Sequence, residues 1–194
     1  MDVAVTRSSQ AEVVFENMRT RRAVRSFTNE PVSVADLRKI IEAARWASSA
    51  GNRRLHRFYV TRDPVKIDLI STIGPGFYGT PTALIVICTD VRRLHRFGIH
   101  QGQDVSTFID VGTAAMNMQL MAHALGLGTT PVTSVSRSGL REVLELPEHL
   151  RTELILQIGH PAPDPNRPAR RGKKLRIEDI SDWETFEGEI PAGE

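Results

Sequence analysis

The spacing of apolar residues predicts a series of helices along the chain. One apolar stripe follows Ser33, a residue type suited to helix N-caps, and predicts a helix over residues 34–47. Segments with the same period lie at residues 11–18, 63–72, 104–125 and 139–146, the last with Ser138 as its cap. The 104–125 segment is apolar on nearly all faces, which indicates burial in the core or in a subunit interface.

Short continuous apolar runs predict strands between these helices. The runs are RFYVT, ALIVICTD and ELILQIGHP, at residues 57–61, 83–90 and 153–161. ALIVICTD is apolar over most of its length and is the candidate central strand, with Cys88 as a core thiol rather than a nucleophile. TTPVTSVS, at residues 129–136, is interpreted as a loop.

Composition then narrows the class of protein. The 194 residues are 40% hydrophobic and 25% charged with a net charge of +2, which is typical of one folded domain and too weakly basic to indicate nucleic acid binding. We expect a core at about 11–163 and an extended basic tail at 164–194. The sequence has a single cysteine, no apolar run of membrane-spanning length and no signal-peptide layout. These features favour a cytoplasmic protein without a membrane partner.

The stretch GPGFYG, residues 74–79, spells the dinucleotide-binding pattern G-x-G-x-x-G. That pattern carries its mechanism only after a strand and at the start of a helix. Here it follows a predicted helix and precedes a predicted strand, and Thr80-Pro81 excludes an immediate helix. The stretch therefore predicts a loop and not a pyrophosphate site.

Three polar clusters are candidates for binding chemistry. RTRRAVRSF, residues 19–27, offers bidentate arginine donors for a phosphate, with a solvated basic turn as the alternative. SSAGN, residues 48–52, offers backbone and side-chain donors to a planar polar ring, or is an ordinary turn. The third cluster is the basic tail. The histidines lack metal-ligand spacing, and CxxC, HExxH and GxSxG elements are absent, so the sequence gives no basis for zinc or serine hydrolase chemistry.

Four blocks, taken in order, resemble the FMN-dependent nitroreductase family. RTRRAVRSFTNEPV is similar to the family's R-R-S-x-R-x-F opening, and ARWASSAGNRRLHRFYV to its A-P-S-x-x-N-x-Q-P-W-x-F-x-V. IDVGTAAMNMQLMAHALGLGTTP is similar to the family's D-x-G helix, and LELPEHLRTELILQIGHPA to its closing L-P…I-G-x-P. The match covers roughly residues 15–163.

The resemblance implies an α+β fold, with a mostly antiparallel central sheet flanked by helices, and a domain-entwined homodimer. It also implies FMN at each subunit interface. By position, Arg21 and Arg22 would hold the phosphate and Arg25 would lie near the N1/O2 edge of the ring. The remaining expected FMN contacts are Ala23 beside the arginines, Ser48, Ser49, Asn52 and Arg54 from the partner subunit, Pro131, Val132, Thr133 and Ser134 along the ring, and Arg171, Lys174 and Arg176 in the tail.

The implied activity is hydride transfer from NAD(P)H through flavin N5 to an electron-poor acceptor, such as a nitroaromatic or quinone, in a ping-pong cycle. The flavin carries the chemistry, so no catalytic side chain is expected. Phe77 and Tyr78 fall where the family places segments that shape the substrate side.

Departures from the motifs leave a second branch open. Ala23 replaces serine, Ser48 replaces proline, and Arg54-Leu55-His56 replaces Q-P-W. R-x-A-V-R with P-G-x-x-G-T-P also resembles the cyclodipeptide oxidases, FMN-dependent desaturases that use oxygen as acceptor. A non-enzymatic module that binds flavin or nucleic acid is the third alternative.

Overall fold

The computed structural model describes residues 7–98, 105–163, 175–182 and 184. Its contacts divide the chain into two compact units, Met1–Pro163 and Asp164–Glu194. The first unit holds the sheet and all the α-helices of the described residues, and in the second Ile177–Asp179 forms a 3-10 turn.

The first unit is built on a four-stranded antiparallel sheet in the order β1-β2-β4-β3. The strands are β1 His56–Thr61, β2 Ala83–Asp90, β3 Gly128–Val132 and β4 Leu150–Gly159. Every residue of β2 is buried, because this strand is paired on both sides and covered on both faces. This arrangement confirms the expected α+β fold with a central antiparallel sheet.

Helices cover both faces of the sheet. The α-helices of the described residues are α1 Arg7–Thr20, α2 Val34–Arg45, α3 Pro64–Thr72, α4 Val91–Arg96, α5 Val105–Ala124 and α6 Arg137–Leu144. On one face α2 and α5 pack on Ile85, Ile87 and Leu156, and on the other α3 and α6 pack on Leu84, Val86 and Ile155. The period-2 alternation along β2 therefore builds two separate apolar layers.

Local capping chemistry sets where these helices begin. Ser33 Oγ accepts the amide of Asp36 at 3.0 Å at the start of α2, as the sequence predicts. For α6 the predicted cap was wrong by two residues: Ser136, not Ser138, accepts the amide of Gly139 at 3.2 Å. The helix accordingly begins at Arg137.

Two elements differ from the sequence-based prediction. Residues 128–132, of which 129–132 were predicted to be loop, form β3, because β4 supplies a ladder from Gly128↔Gly159 to Val132↔Ile155. Such pairing is made between segments distant in sequence, so local composition does not reveal it. Helix α4, Val91–Arg96, was not predicted, and Asp90 caps it by accepting the amide of Arg92 at 3.2 Å.

Both α5 and α1 leave apolar side chains exposed. Met118 and Ala122 of α5 are buried in the core, but Phe108 and Ile109 on the same helix are about half exposed, at 49% and 59%. The stripe predicted for α1 includes Phe15, which is also exposed. The 105–124 helix is thus partly core and partly an uncovered apolar surface.

Candidate functional site

The arginine-rich segment lies along the outer edge of β3. Ala23 forms a parallel bridge with Thr129, and the Val24 amide donates to the Thr129 carbonyl at 3.0 Å. Thr130 Oγ1 donates to the Val24 carbonyl. The segment is therefore held as a short addition to the sheet rather than as a free turn after α1.

Three of the four arginines of residues 19–27 have no acidic partner among the described residues, whereas Arg19 pairs with a glutamate of α1. Within the described residues none of Arg21, Arg22 and Arg25 forms an ion pair with an acidic side chain. One nitrogen of Arg22, Nη1, donates to the Arg19 and Arg21 carbonyls at 2.6 and 2.7 Å, which orients its guanidinium at the end of α1. The Arg25 guanidinium lies 4.9 Å from the centre of the Tyr78 ring.

The GPGFYG loop, residues 74–79, packs between this segment and the end of β3. The Gly76 amide donates to the Ser134 carbonyl at 3.3 Å, and a Cβ on Gly76 would meet Val132 Cγ1 at 3.0 Å. Gly79 has a φ of +60°, and a Cβ there would lie 2.6 Å from the Arg25 carbonyl. The glycines thus permit a close backbone approach, and the loop prediction is confirmed.

A buried glutamine of the sheet holds the backbone of the same loop. Gln157 of β4 is fully buried, and its side-chain amide donates to the Tyr78 carbonyl at 3.0 Å. Its Oε1 accepts the Tyr78 amide at 3.4 Å. Sequence reasoning missed this residue, although a glutamine inside the apolar run ILQIG was a signal that a backbone partner was needed.

The SSAGN loop, residues 48–52, is held by α5. Asp110 Oδ1 accepts the Ala50 amide at 3.0 Å, and Thr113 Oγ1 donates to the Ser48 carbonyl at 3.0 Å. Arg54 Nε donates to Asn52 Oδ1 at 3.0 Å. Asp110 therefore positions the SSAGN loop. It lies in the quoted stretch IDVG, but the sequence did not predict this contact.

The expected FMN contacts divide into two groups in one chain. Arg21–Arg25 and residues 131–134 lie at the β3 edge, whereas Ser48, Ser49, Asn52 and Arg54 precede β1 at the opposite edge. Strands β2 and β4 lie between them, so strand spacing alone separates the edges by about 14 Å. Arg171 and Lys174 lie outside the described residues, and Arg176, in the second unit, donates through Nη2 to Asp179 Oδ1 at 3.3 Å.

Burial shifts the pKa of two side chains near the SSAGN end of the sheet. Burial lowers the pKa of His56, and the charges of Asp110 and Glu153 partly oppose that shift. Burial, with the charge of Glu153, raises the pKa of the Cys88 thiol to about 12. Cys88 is fully buried, which confirms it as a core thiol.

The family model for the nitroreductases, described as "Nitroreductase family", matches residues 18–73 and 71–160. These ranges contain both groups of site residues outside the tail. The chain belongs to the nitroreductase family. The family expected from the four sequence blocks is confirmed.

Two named relatives and one solved structure are similar to this nitroreductase. It is 30% identical over 188 residues to the FMN reductase [NAD(P)H] of Bacillus subtilis, covering 89% of this chain and 74% of the reductase. It is 30% identical over 162 residues to a protein of Methanothermobacter thermautotrophicus named as an NADH dehydrogenase/NAD(P)H nitroreductase, covering 78% and 79%. A Desulfovibrio desulfuricans protein named as a nitroreductase and solved in complex with FMN superposes with a TM-score of 0.73 at 28% identity, covering 89% and 97%.

The described residues show neither a membrane-spanning helix nor a group of metal ligands. None of the helices in the described ranges combines the length and apolarity that a bilayer span requires. Across the same ranges, no three His, Cys, Asp or Glu side chains are grouped as metal ligands.

Proposed function

We propose that this nitroreductase is an FMN-dependent oxidoreductase that uses NAD(P)H to reduce an electron-poor acceptor such as a nitroaromatic or a quinone. The observation that carries the proposal is the set of unpaired arginines held along β3 beside a glycine loop, in a chain of this family. When bound, FMN would supply N5 as the site that takes hydride from NAD(P)H and passes it to the acceptor in a ping-pong cycle.

The residues at the β3 edge fit FMN in charge and shape. Arg21 and Arg22 offer guanidinium donors to a phosphate, and neither is neutralised by a described acidic side chain. Arg25 offers a cation to the N1/O2 edge, where it would stabilise negative charge on the ring. Residues 131–134 would supply the surface along the ring. Because Gly76 has no Cβ, the GPGFYG loop lies close to that surface.

A second copy of the chain would complete the site. Ser48, Ser49, Asn52 and Arg54 stand at the far edge of the sheet, so one chain does not bring them to Arg25. The exposed apolar side chains of α1 and α5, among them Phe15, Phe108 and Ile109, offer a surface that a homodimer would bury. The proposal is therefore a homodimer with FMN between its subunits.

Tyr78 is proposed to shape the acceptor side of this site. Tyr78 is 48% exposed, and the Arg25 guanidinium lies 4.9 Å from the centre of its ring. The side-chain amide of Gln157 donates to the Tyr78 carbonyl and so fixes its backbone. A flat, electron-poor acceptor would stack on such a ring, and the adjacent cation would favour negative substituents.

The test is an anaerobic visible spectrum of the purified protein before and after NADPH or NADH is added, followed by a nitroaromatic, a quinone or oxygen. The proposal predicts a flavin band that bleaches with at least one of the two nucleotides and returns faster with the organic acceptors than with oxygen. A flavin band that neither NADPH nor NADH bleaches would contradict it and would favour the oxygen-dependent desaturase. Reoxidation that is fastest with oxygen would contradict the proposed acceptor class.

A further inference from the structure

A cavity of about 380 Å³ lies between α2, α5 and the start of β1. Ile41, Ala44 and Ala47 line it from α2 and its end, Phe58 from β1 and Ala114 from α5, so its walls are mostly apolar. This volume lies within the range of small-molecule pockets and suits a ligand with one aromatic ring.

Three residues that line the cavity carry buried polar atoms without a hydrogen-bond partner among the described residues. Asp110 is only 4% exposed and lines the cavity, and its Oδ2 forms no hydrogen bond within the described part of the chain, whereas its Oδ1 holds Ala50. Both ring nitrogens of His56 and the Oγ of Ser49 are likewise buried and unpartnered among described residues. Burying polar atoms without hydrogen-bond partners is unfavourable, so the cavity favours a ligand that satisfies them.

His56 is also one of the positions at which this chain departs from the motifs it resembles. The motif has tryptophan there, and histidine is the smaller side chain. Burial lowers the pKa of His56, so its ring is neutral near pH 7 and offers one donor and one acceptor.

The mouth of the cavity is positively charged. Arg45, Arg54, Arg57 and Arg93 line it, and Glu42 is the acidic residue among the lining residues besides Asp110. Glu42 is already engaged, since its Oε1 lies 3.4 Å from Arg45 Nε. An excess of arginine at the mouth would attract an anionic group on the ligand.

We propose that this cavity binds a small hydroxyaromatic acid. The hydroxyl donates to Asp110 Oδ2 and accepts from His56 or Ser49, the ring packs on Phe58 and the apolar walls, and the carboxylate stays at the arginine-lined mouth. Ser48, Ser49 and Arg54 also belong to the proposed flavin contacts, so the cavity adjoins the flavin site, whereas Asp110, His56 and Phe58 are not among those contacts.

Calorimetric titration of the FMN-loaded protein with 4-hydroxybenzoate tests this directly. We expect benzoate, which lacks the hydroxyl, and 4-hydroxybenzyl alcohol, which lacks the carboxylate, each to bind at least about tenfold more weakly. Equal binding of benzoate would overturn the assigned role of Asp110. Absence of 4-hydroxybenzoate binding would overturn the proposed site.

Two variants locate the binding. His56→Trp restores the motif residue and fills the cavity, and Asp110→Asn keeps the acceptor for Ala50 while it replaces the free carboxylate oxygen with a donor. Both should weaken 4-hydroxybenzoate binding by about tenfold or more, whereas Arg62→Ala, outside the cavity, should not. Unchanged binding in His56→Trp would place the molecule elsewhere, for example against the flavin, and would refute the proposal. FMN content and bleaching by NADPH, measured on the same preparations, separate this failure from a failure of the proposed function.

Discussion

His56 links burial to pH dependence at the scale of a single residue. Its pKa is lowered in the folded protein from the ordinary value of 6.5, chiefly by burial. Below that value the unfolded chain binds the proton more readily than the folded chain, so the free energy of unfolding falls as the pH drops from 7 to 5. We predict that His56→Gln has a shallower loss of stability over this range in urea titrations. Equal slopes for the two proteins would contradict the prediction.

Cys88 gives a second prediction at this scale. Its thiol is fully buried in β2 and its pKa is raised to about 12, so almost none of it is thiolate at pH 8. Ellman's reagent should label the native protein at least about a hundredfold more slowly than the urea-unfolded protein. Rapid labelling of the native protein would show that the strand is accessible.

The sequence predicted single residues well where the signal was local. Ser33 as a cap and Cys88 as a core thiol follow from neighbouring residues alone. Asp110 and Gln157 were missed as positioning residues because their partners, Ala50 and Tyr78, are distant in the chain. Likewise, His56 was recorded as a motif departure, but only the structure shows its ring nitrogens buried and unpartnered among described residues.

At the scale of the elements, the Gln157 side chain holds the backbone of the GPGFYG loop. Gln157→Leu deletes both hydrogen bonds to Tyr78 and leaves its backbone groups without that partner. We predict a loss of about 1–3 kcal/mol in the free energy of unfolding and weaker FMN binding, measured by denaturation and by flavin titration. Tyr78→Phe, which keeps the ring and the backbone contacts, is the matched control. Unchanged FMN affinity in Gln157→Leu would mean that the loop does not support the cofactor site.

Long periodic helices and the central strand were predictable at this scale, and short elements were not. Segments 34–47 and 104–125 carry many turns of the helical period, and ALIVICTD matches β2 residue for residue. Strand β3 contains Thr129, Thr130 and Pro131, and it is extended because β4 and the arginine segment pair with it on its two sides. Six-residue α4 has too few residues for its period to be recognised.

For the whole molecule, the exposed apolar face of α1 and α5 predicts self-association. Ile109→Asp should shift the protein from dimer to monomer in sedimentation velocity and should weaken FMN binding, because a charge would replace buried apolar surface. Val65 on α3 is equally exposed but lies on the helix that covers the other sheet face, so Val65→Asp is the control. A monomeric wild-type protein that retains FMN would contradict the shared site.

The central claim is that each FMN lies between two chains, with Arg25 from one and the SSAGN loop from the other. The most direct measurement is the FMN content of a mixed dimer, purified through two different tags, of an Arg25→Glu chain and a Ser48→Trp chain. Neither variant alone should hold FMN. In the mixed dimer both substitutions fall in one site and the other site is intact, so about one FMN per dimer should be recovered. A mixed dimer without FMN, formed from variants that fold and dimerise, would contradict a site shared between chains.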